Sequence, residues 1–435
     1  MNRVVVIGGG IAGLSTAYFL AKKRLKPVVI ENENETGGLG RCHKVKGILI
    51  DSGYHIIFKG DKHLLGLLKE LDLEKDTVWG NLDFNLITVN GDISFSPLKI
   101  LSSKSLSIPE KRKLAKVYFK LKNLKDWKSL DKFTAKEWIT RNSNIEIYEK
   151  IFEPIIKAKW GRESEGTSAA WFYGRIKPRS ESRNIFWGKE KGGYLKGSFR
   201  KLFSALEREI TKKGGKIITS ANIRKISIKG NKVESVKYKI KGNLREIKTD
   251  SVISTIPVQE LLKTAKLADD FEKKIKRIRY KAVICATYGL KRGLTKSFRT
   301  IFSEKKSFGG LVEMTNLIDK KHLGNNHVLY VFNFLDTSEK LWKLKDKKII
   351  ETYTNDLEKL HPGFRKLVIW SRLYKNRYGE PFYQKDYLKI MPDVRTPVSG
   401  LFITGMVQSY PISDFNNIID LAYRTSDLVY REVTC

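Results

Sequence analysis

The chain has 435 residues, 41% of them hydrophobic and 30% charged, enough to bury a large core and, by length, to form two domains. It contains no run of eighteen apolar residues, which excludes a transmembrane helix, and its three widely separated cysteines (Cys42, Cys285 and Cys435) exclude a structural zinc site and point to a reducing, cytoplasmic setting. The formal net charge of +36 is the one unusual number, and solvated surface lysines account for it more simply than a specific anionic partner does.

The opening Met1-Asn2-Arg3 and the apolar run behind it look superficially like a signal peptide, but the next elements need that run for the fold. Val4–Ile7 reads as a buried strand, because consecutive β-branched residues suit a parallel sheet covered on both faces. Gly8, Gly10 and Gly13 then form G-x-G-x-x-G at a strand-to-helix turn. The first glycine permits the tight turn, the second admits a pyrophosphate to the backbone, and the third lets helix pack on strand. The helix over Ile11–Lys22 presents the amides of its first turn, Ile11 and Ala12 among them, to that pyrophosphate. A second strand, Pro27–Ile30, ends in Glu31, eighteen residues after Gly13, placed to bind ribose hydroxyls. Strand, glycine turn, helix, strand and acid in this order predict a dinucleotide site.

The segment NENETGGLGRC follows, in which Gly37 and Gly38 let the backbone pass close to a second stretch of ligand and Arg41 can neutralise phosphate charge. GILIDSGYHIIF then places Asp51, Gly53 and His55 at a strand end. Further on, Ser107-Ile-Pro-Glu110 is an S-x-x-E capping box. It opens a helix with Leu114, Val117, Tyr118, Leu121 and Leu124 at helical spacing and Lys111, Arg112, Lys113, Lys116, Lys120, Lys122 and Lys125 around them. Such a helix suits either packing on a core or an anionic bilayer surface, and the narrow stripe favours packing. Ile223–Val252 alternates polar and apolar residues about Lys229–Lys232, as an antiparallel hairpin or meander does. No second G-x-G-x-x-G follows a strand, which argues against a separate NAD(P)H-binding unit.

Taken together, the E-x6-GG extension, the D-x-G-x-H segment and the blocks Lys191–Ile228, Asp250–Pro257 and Ser399–Val429 resemble the flavin amine oxidase superfamily. That superfamily includes protoporphyrinogen oxidases, carotenoid desaturases, amine oxidases and UDP-galactopyranose mutases. The resemblance covers nearly the whole chain and implies an α/β plus α+β fold, a Rossmann-type FAD-binding domain interleaved with a mixed-sheet and helical cap. Residues 1–80, 192–265 and 386–435 would form the FAD domain, and 81–191 with 266–385 the substrate cap.

It further implies non-covalent FAD held by Gly8, Gly10, Ile11, Ala12, Gly13, Glu31, Gly37, Gly38, Leu39, Arg41, Thr255 and Gly405. Ile223 would meet the adenine through its backbone, and the helix near Asn417 and Ile418 would aim its N-terminus at the pyrimidine edge of the flavin ring. His55 and Lys281 become candidate catalytic residues, although a lysine-rich chain favours a surface role for Lys281. Trp160, Arg175 and Tyr410 become candidate substrate contacts, with cap core as the plainer role for the aromatics. Tyr378 and Tyr383 are further candidate walls over the ring, and Glu313 a candidate cavity carboxylate. The implied activity is hydride removal from an organic, hydrophobic or anionic, small-molecule substrate to flavin N5. The acceptor stays open between oxygen, a quinone and a protein, with no specific nucleic-acid partner and peripheral association with an anionic membrane as an option. The alternative is a mutase-like flavin isomerase acting on a nucleotide sugar, against which Met406 counts, since arginine is expected at that position in mutases.

Overall fold

The structure is a computed structural model that describes residues 4–181 and 190–434; Met1–Arg3 and Cys435 lie outside the described residues. Val4–Ile7 is fully buried and forms the centre of a five-stranded parallel sheet. Its neighbours are Val28–Ile30 and Ser251–Ser254, and the outer strands are Lys216–Ile218 and Leu401–Ile403. Val5 pairs with Val28 on one side and Val252 on the other, so a strand read from four apolar residues is hydrogen-bonded at both edges and covered on both faces. The helix Ile11–Lys22 is buried along most of its length and packs against Arg200–Lys212 and the closing helix Phe415–Thr434.

The expected meander is present as Ala221–Lys229, Lys232–Ile240 and Asn243–Lys248, antiparallel throughout. A second, seven-stranded mixed sheet draws strands from residues 84–94 and from 280–381. Its strand Tyr280–Leu290 sends alternate side chains to two cores, as the period of two requires. Ala282, Ile284, Ala286, Tyr288 and Leu290 pack with Ile349, Tyr353 and Leu357 of the helix Asp346–Leu360. Cys285 faces the main core together with Tyr330 and Phe332 of the adjacent strand. Residues 97–181 are helical apart from short connections. The capping box forms as read: Ser107 Oγ accepts from the Glu110 amide and the Glu110 carboxylate accepts from the Ser107 amide, starting the helix Ile108–Lys122. Leu114, Val117 and Leu121 of that helix are buried, so the packing role is real.

Candidate functional site

The glycine turn is fixed by contacts that no larger residue permits. A Cβ on Gly13 would stand 1.8 Å from the Gly8 carbonyl oxygen, and Gly8 has φ +105°. Thr255, at the end of the adjacent parallel strand, donates its hydroxyl to the Ile7 carbonyl at 2.8 Å and braces the turn from below. No side chain caps the helix at Gly10. The first-turn amides are therefore left to a ligand. Glu31 is buried, and its carboxylate accepts from the amides of Gly9 at 2.6 Å and Glu33 at 2.8 Å.

The second glycine pair closes onto the first. The Gly37 amide donates to the Gly9 carbonyl at 2.8 Å, and Gly38 lies against Gly10. Arg41 pairs with Glu33 at 3.2 Å while its buried Nε has no hydrogen-bond partner among the described residues. Ile223 lies on the strand whose first residue, Ala221, donates to the Glu31 carbonyl, and Asn222 bonds Asn32 at 2.7 Å. Gly405, two residues past the strand Leu401–Ile403, completes the rim: a Cβ there would find nothing nearer than 3.7 Å. A Cβ on Gly10 would likewise find only the Gly38 backbone, at 3.8 Å. Room beside the backbone of Gly10 and Gly405, an uncapped helix N-terminus, an acid and an orphaned guanidinium nitrogen fit a dinucleotide phosphate and ribose.

The inner end of this groove is aromatic. His55 stacks on Phe415 with centroids 4.6 Å apart and meets Phe199 edge-on at 5.5 Å, and its Nε2 lies 3.3 Å from the Leu39 carbonyl. Burial pushes the imidazole pKa down to about 4. His55 is thus neutral near pH 7 but a feeble proton acceptor. Asp51, four residues before it at the end of the strand Ile48–Asp51, is fully buried and accepts from Tyr194 Oη at 2.5 Å, Ser198 Oγ at 2.6 Å and the Phe199 amide at 3.1 Å. Burial raises that carboxyl to about 6 in spite of these donors. Asp51 ties the groove floor together and does not face a ligand. At the start of the closing helix, Asp414 accepts from the Asn417 amide and side chain, and the Ile418 amide bonds the Asp414 carbonyl. The two amides expected to face the flavin are already paired, which leaves the helix dipole alone to act there.

On the cap side the sequence expectations need correction. Trp160 is fully buried among Trp171, Phe382 and Tyr383, with no surface left for a substrate. Tyr410 is buried with its hydroxyl shared between Asp131 and Ser168, each at 2.6 Å. Lys281 is neither on the surface nor unengaged: it is 1% exposed and its ammonium lies 2.7 Å from both Glu163 and Asp336. Glu313 does not face a cavity, since it accepts from the amides of Leu294 and Thr295 and from the Thr295 hydroxyl. Tyr378 bonds Glu260, and Tyr383 donates to the Met406 carbonyl at 2.7 Å, holding the loop beyond Gly405.

Of the expected substrate trio Arg175 is the most exposed, while Tyr410 borders a separate cavity with Trp127, Tyr173 and Asn417. Arg175 stacks over Trp171 and pairs with Glu380 at 2.7 Å. Sequence reasoning missed its companion: Lys159 pairs with the same Glu380, lies 3.4 Å from the Phe334 ring centroid, and is lowered by burial to about 8. It also missed the aromatic cluster in which Tyr54 meets the buried Phe332 at 5.5 Å with the Arg299 guanidinium over Phe332 at 5.1 Å. Only three-dimensional proximity links these residues, so no local pattern marks them.

One Rossmann-type groove, doubled glycine turns and an aromatic inner end beneath a mixed-sheet cap define an FAD-dependent oxidoreductase. Residues 11–428 match the flavin containing amine oxidoreductase family, and the chain belongs to that family. It is 24% identical to the 15-cis-phytoene desaturase of Synechococcus elongatus across 93% of this chain and 90% of that protein. It is 27% identical to protoporphyrinogen oxidase 2 of Arabidopsis thaliana across 49% of this chain and 41% of that one. The fold matches a putative protoporphyrinogen oxidase from Exiguobacterium sp. 255-15 with a TM-score of 0.76 at 16% identity, covering 99% of each chain.

Proposed function

We propose that the chain dehydrogenates a small organic molecule with an apolar body and an acidic group, delivering hydride to flavin N5. Bound FAD supplies the hydride acceptor; the protein's own part is binding, orientation and exclusion of water. The observation that carries the substrate class is the juxtaposition of the half-buried Tyr54 and Phe334, joined through the buried Phe332, with Arg299, Lys159 and Arg175. Aromatic faces would hold the apolar body, and the planar Arg175 guanidinium suits a carboxylate. A hydride donor needs no strong base at the ring, which is consistent with the weak basicity of His55. The FAD-binding part would comprise 1–80, 192–265 and 386–435, with 81–191 and 266–385 as the cap. The names of both curated relatives denote redox reactions, desaturation and oxidation, which supports dehydrogenation over the mutase alternative.

The test is anaerobic mixing of the FAD-loaded protein with apolar carboxylic acids, amines and isoprenoids, following flavin absorbance. Bleaching by an apolar acid, weakened in Arg175→Ala, is the expected result. Turnover of a nucleotide sugar with no bleaching and no acceptor present would overturn the reading.

A further inference from the structure

The buried stripe of the helix Ile108–Lys122 is only half of what that helix displays. Leu114, Val117 and Leu121 face the core. Ile108, Arg112, Ala115 and Phe119 recur at intervals of four, three and four residues on the opposite side, and all four are exposed. Ile108 is 65% exposed and Phe119 41%. The preceding helix Pro97–Ser102 adds Leu98 and Leu101, at 57% and 54%, and is joined to the first by Lys111 Nζ donating to the Leu101 carbonyl at 2.7 Å. Val89, 77% exposed, tips the neighbouring hairpin, which the Ser105 hydroxyl bonds at Asp92. Five of the eight exposed large hydrophobic residues among the described ones therefore fall within residues 89–119.

The charge around them is predominantly positive. Between residues 97 and 125 there are nine Lys and Arg (Lys99, Lys104, Lys111, Arg112, Lys113, Lys116, Lys120, Lys122 and Lys125) against the single acid Glu110. Glu110 is itself held by the capping box and by Lys150 at 2.8 Å. Asp83 sits beside Lys99 at 3.5 Å, and Asp92 and Asp126 are further acids at the edge. Apolar side chains raised among cations are what an anionic bilayer surface binds: the chains enter the acyl boundary while lysines stay at the headgroups. No helix among the described residues is long and apolar enough to cross a membrane, so the contact is with one leaflet.

We infer that the face formed by Val89, Leu98, Leu101, Ile108 and Phe119 docks the protein onto anionic lipid surfaces, independently of the flavin chemistry. A net charge of +36 alone would attract vesicles through any part of the surface, so the apolar residues must be tested separately from the charge. The experiment is co-sedimentation of the FAD-loaded protein with phosphatidylcholine vesicles containing or lacking phosphatidylglycerol, at low and high salt. The expected result is binding to the anionic vesicles alone, weakened by salt. The variant Leu98→Ser/Leu101→Ser/Ile108→Ser keeps every cation and is expected to lose about tenfold in partitioning. Lys104→Glu/Arg112→Glu/Lys116→Glu is expected to lose at least as much. All six sites are exposed, and retained flavin absorbance confirms that the variants fold. Failure of the protein to sediment with anionic vesicles at low salt overturns the inference. So does equal binding by the serine variant, or a concentration-dependent dimer that the serine variant abolishes, which would make a second copy the occupant.

Discussion

The carboxylate of Glu31 accepts a 2.6 Å hydrogen bond from the amide of Gly9, so the acid at the end of one strand grips the glycine turn at the end of its neighbour. On the proposed reading, one side chain would set both the shape of the phosphate cradle and the position of the ribose acceptor. Glu31→Ala leaves the Gly9 amide buried and unpaired, at a cost of about 1–3 kcal/mol to the loop. Isothermal titration of the flavin-stripped variant is expected to show FAD binding weakened at least about tenfold. Unchanged affinity would mean the acid serves only the loop.

Gly13→Ala places a methyl group 1.8 Å from the Gly8 carbonyl oxygen, whereas Gly53→Ala meets nothing within 4 Å. The first is expected to lower stability by about 1–3 kcal/mol and abolish flavin retention; the second is expected to be near neutral. Thermal melts and flavin-to-protein absorbance ratios of the pair check this.

Asp51 makes stability fall as pH rises. Its folded pKa, about 6, lies above the ordinary carboxylate value of 3.8, so the folded state holds the proton more tightly. The stabilisation is complete below the ordinary value and is lost as pH climbs through about 6, a swing on the order of 3 kcal/mol. Denaturant titrations between pH 3 and pH 7 are expected to show this slope in the native chain relative to Asp51→Asn. Parallel curves would contradict it.

Burial holds the His55 imidazole down at about 4, so it stays neutral across the physiological range. A carbon-13 NMR titration of its ring is expected to show a midpoint near that value. A midpoint above 6 would restore His55 as an acid–base candidate.

Tyr410→Phe removes the hydroxyl that joins Asp131 to Ser168, while Arg175→Lys keeps a charge and loses a planar fork. The first is expected to lower the melting temperature with KM little changed, and the second to raise KM with stability little changed. The opposite pattern would return Tyr410 to substrate contact.

What could be read from sequence was what local backbone geometry dictates. Gly13 had to be glycine because the helix crosses its own strand there, and Ser107 and Glu110 announce a helix start from within four residues. The cap residues resisted because their surroundings are assembled from afar. Lys281 is neutralised by Glu163 and Asp336, both remote in sequence, and Trp160 is enclosed by Phe382 and Tyr383. A buried ion pair and an aromatic cluster leave no periodic trace in the chain. Asp51 was legible as a special residue, but its donors Tyr194 and Ser198 lie in another block, so its structural task was not.

The most direct measurement is equilibrium binding of FAD to the native chain beside Gly13→Ala, read by flavin absorbance after gel filtration and again after denaturation. Stoichiometric flavin on the native chain, released on unfolding and absent from the variant, is the expected result. A native chain that retains no flavin when supplied with excess FAD, while folded by circular dichroism, would contradict the account.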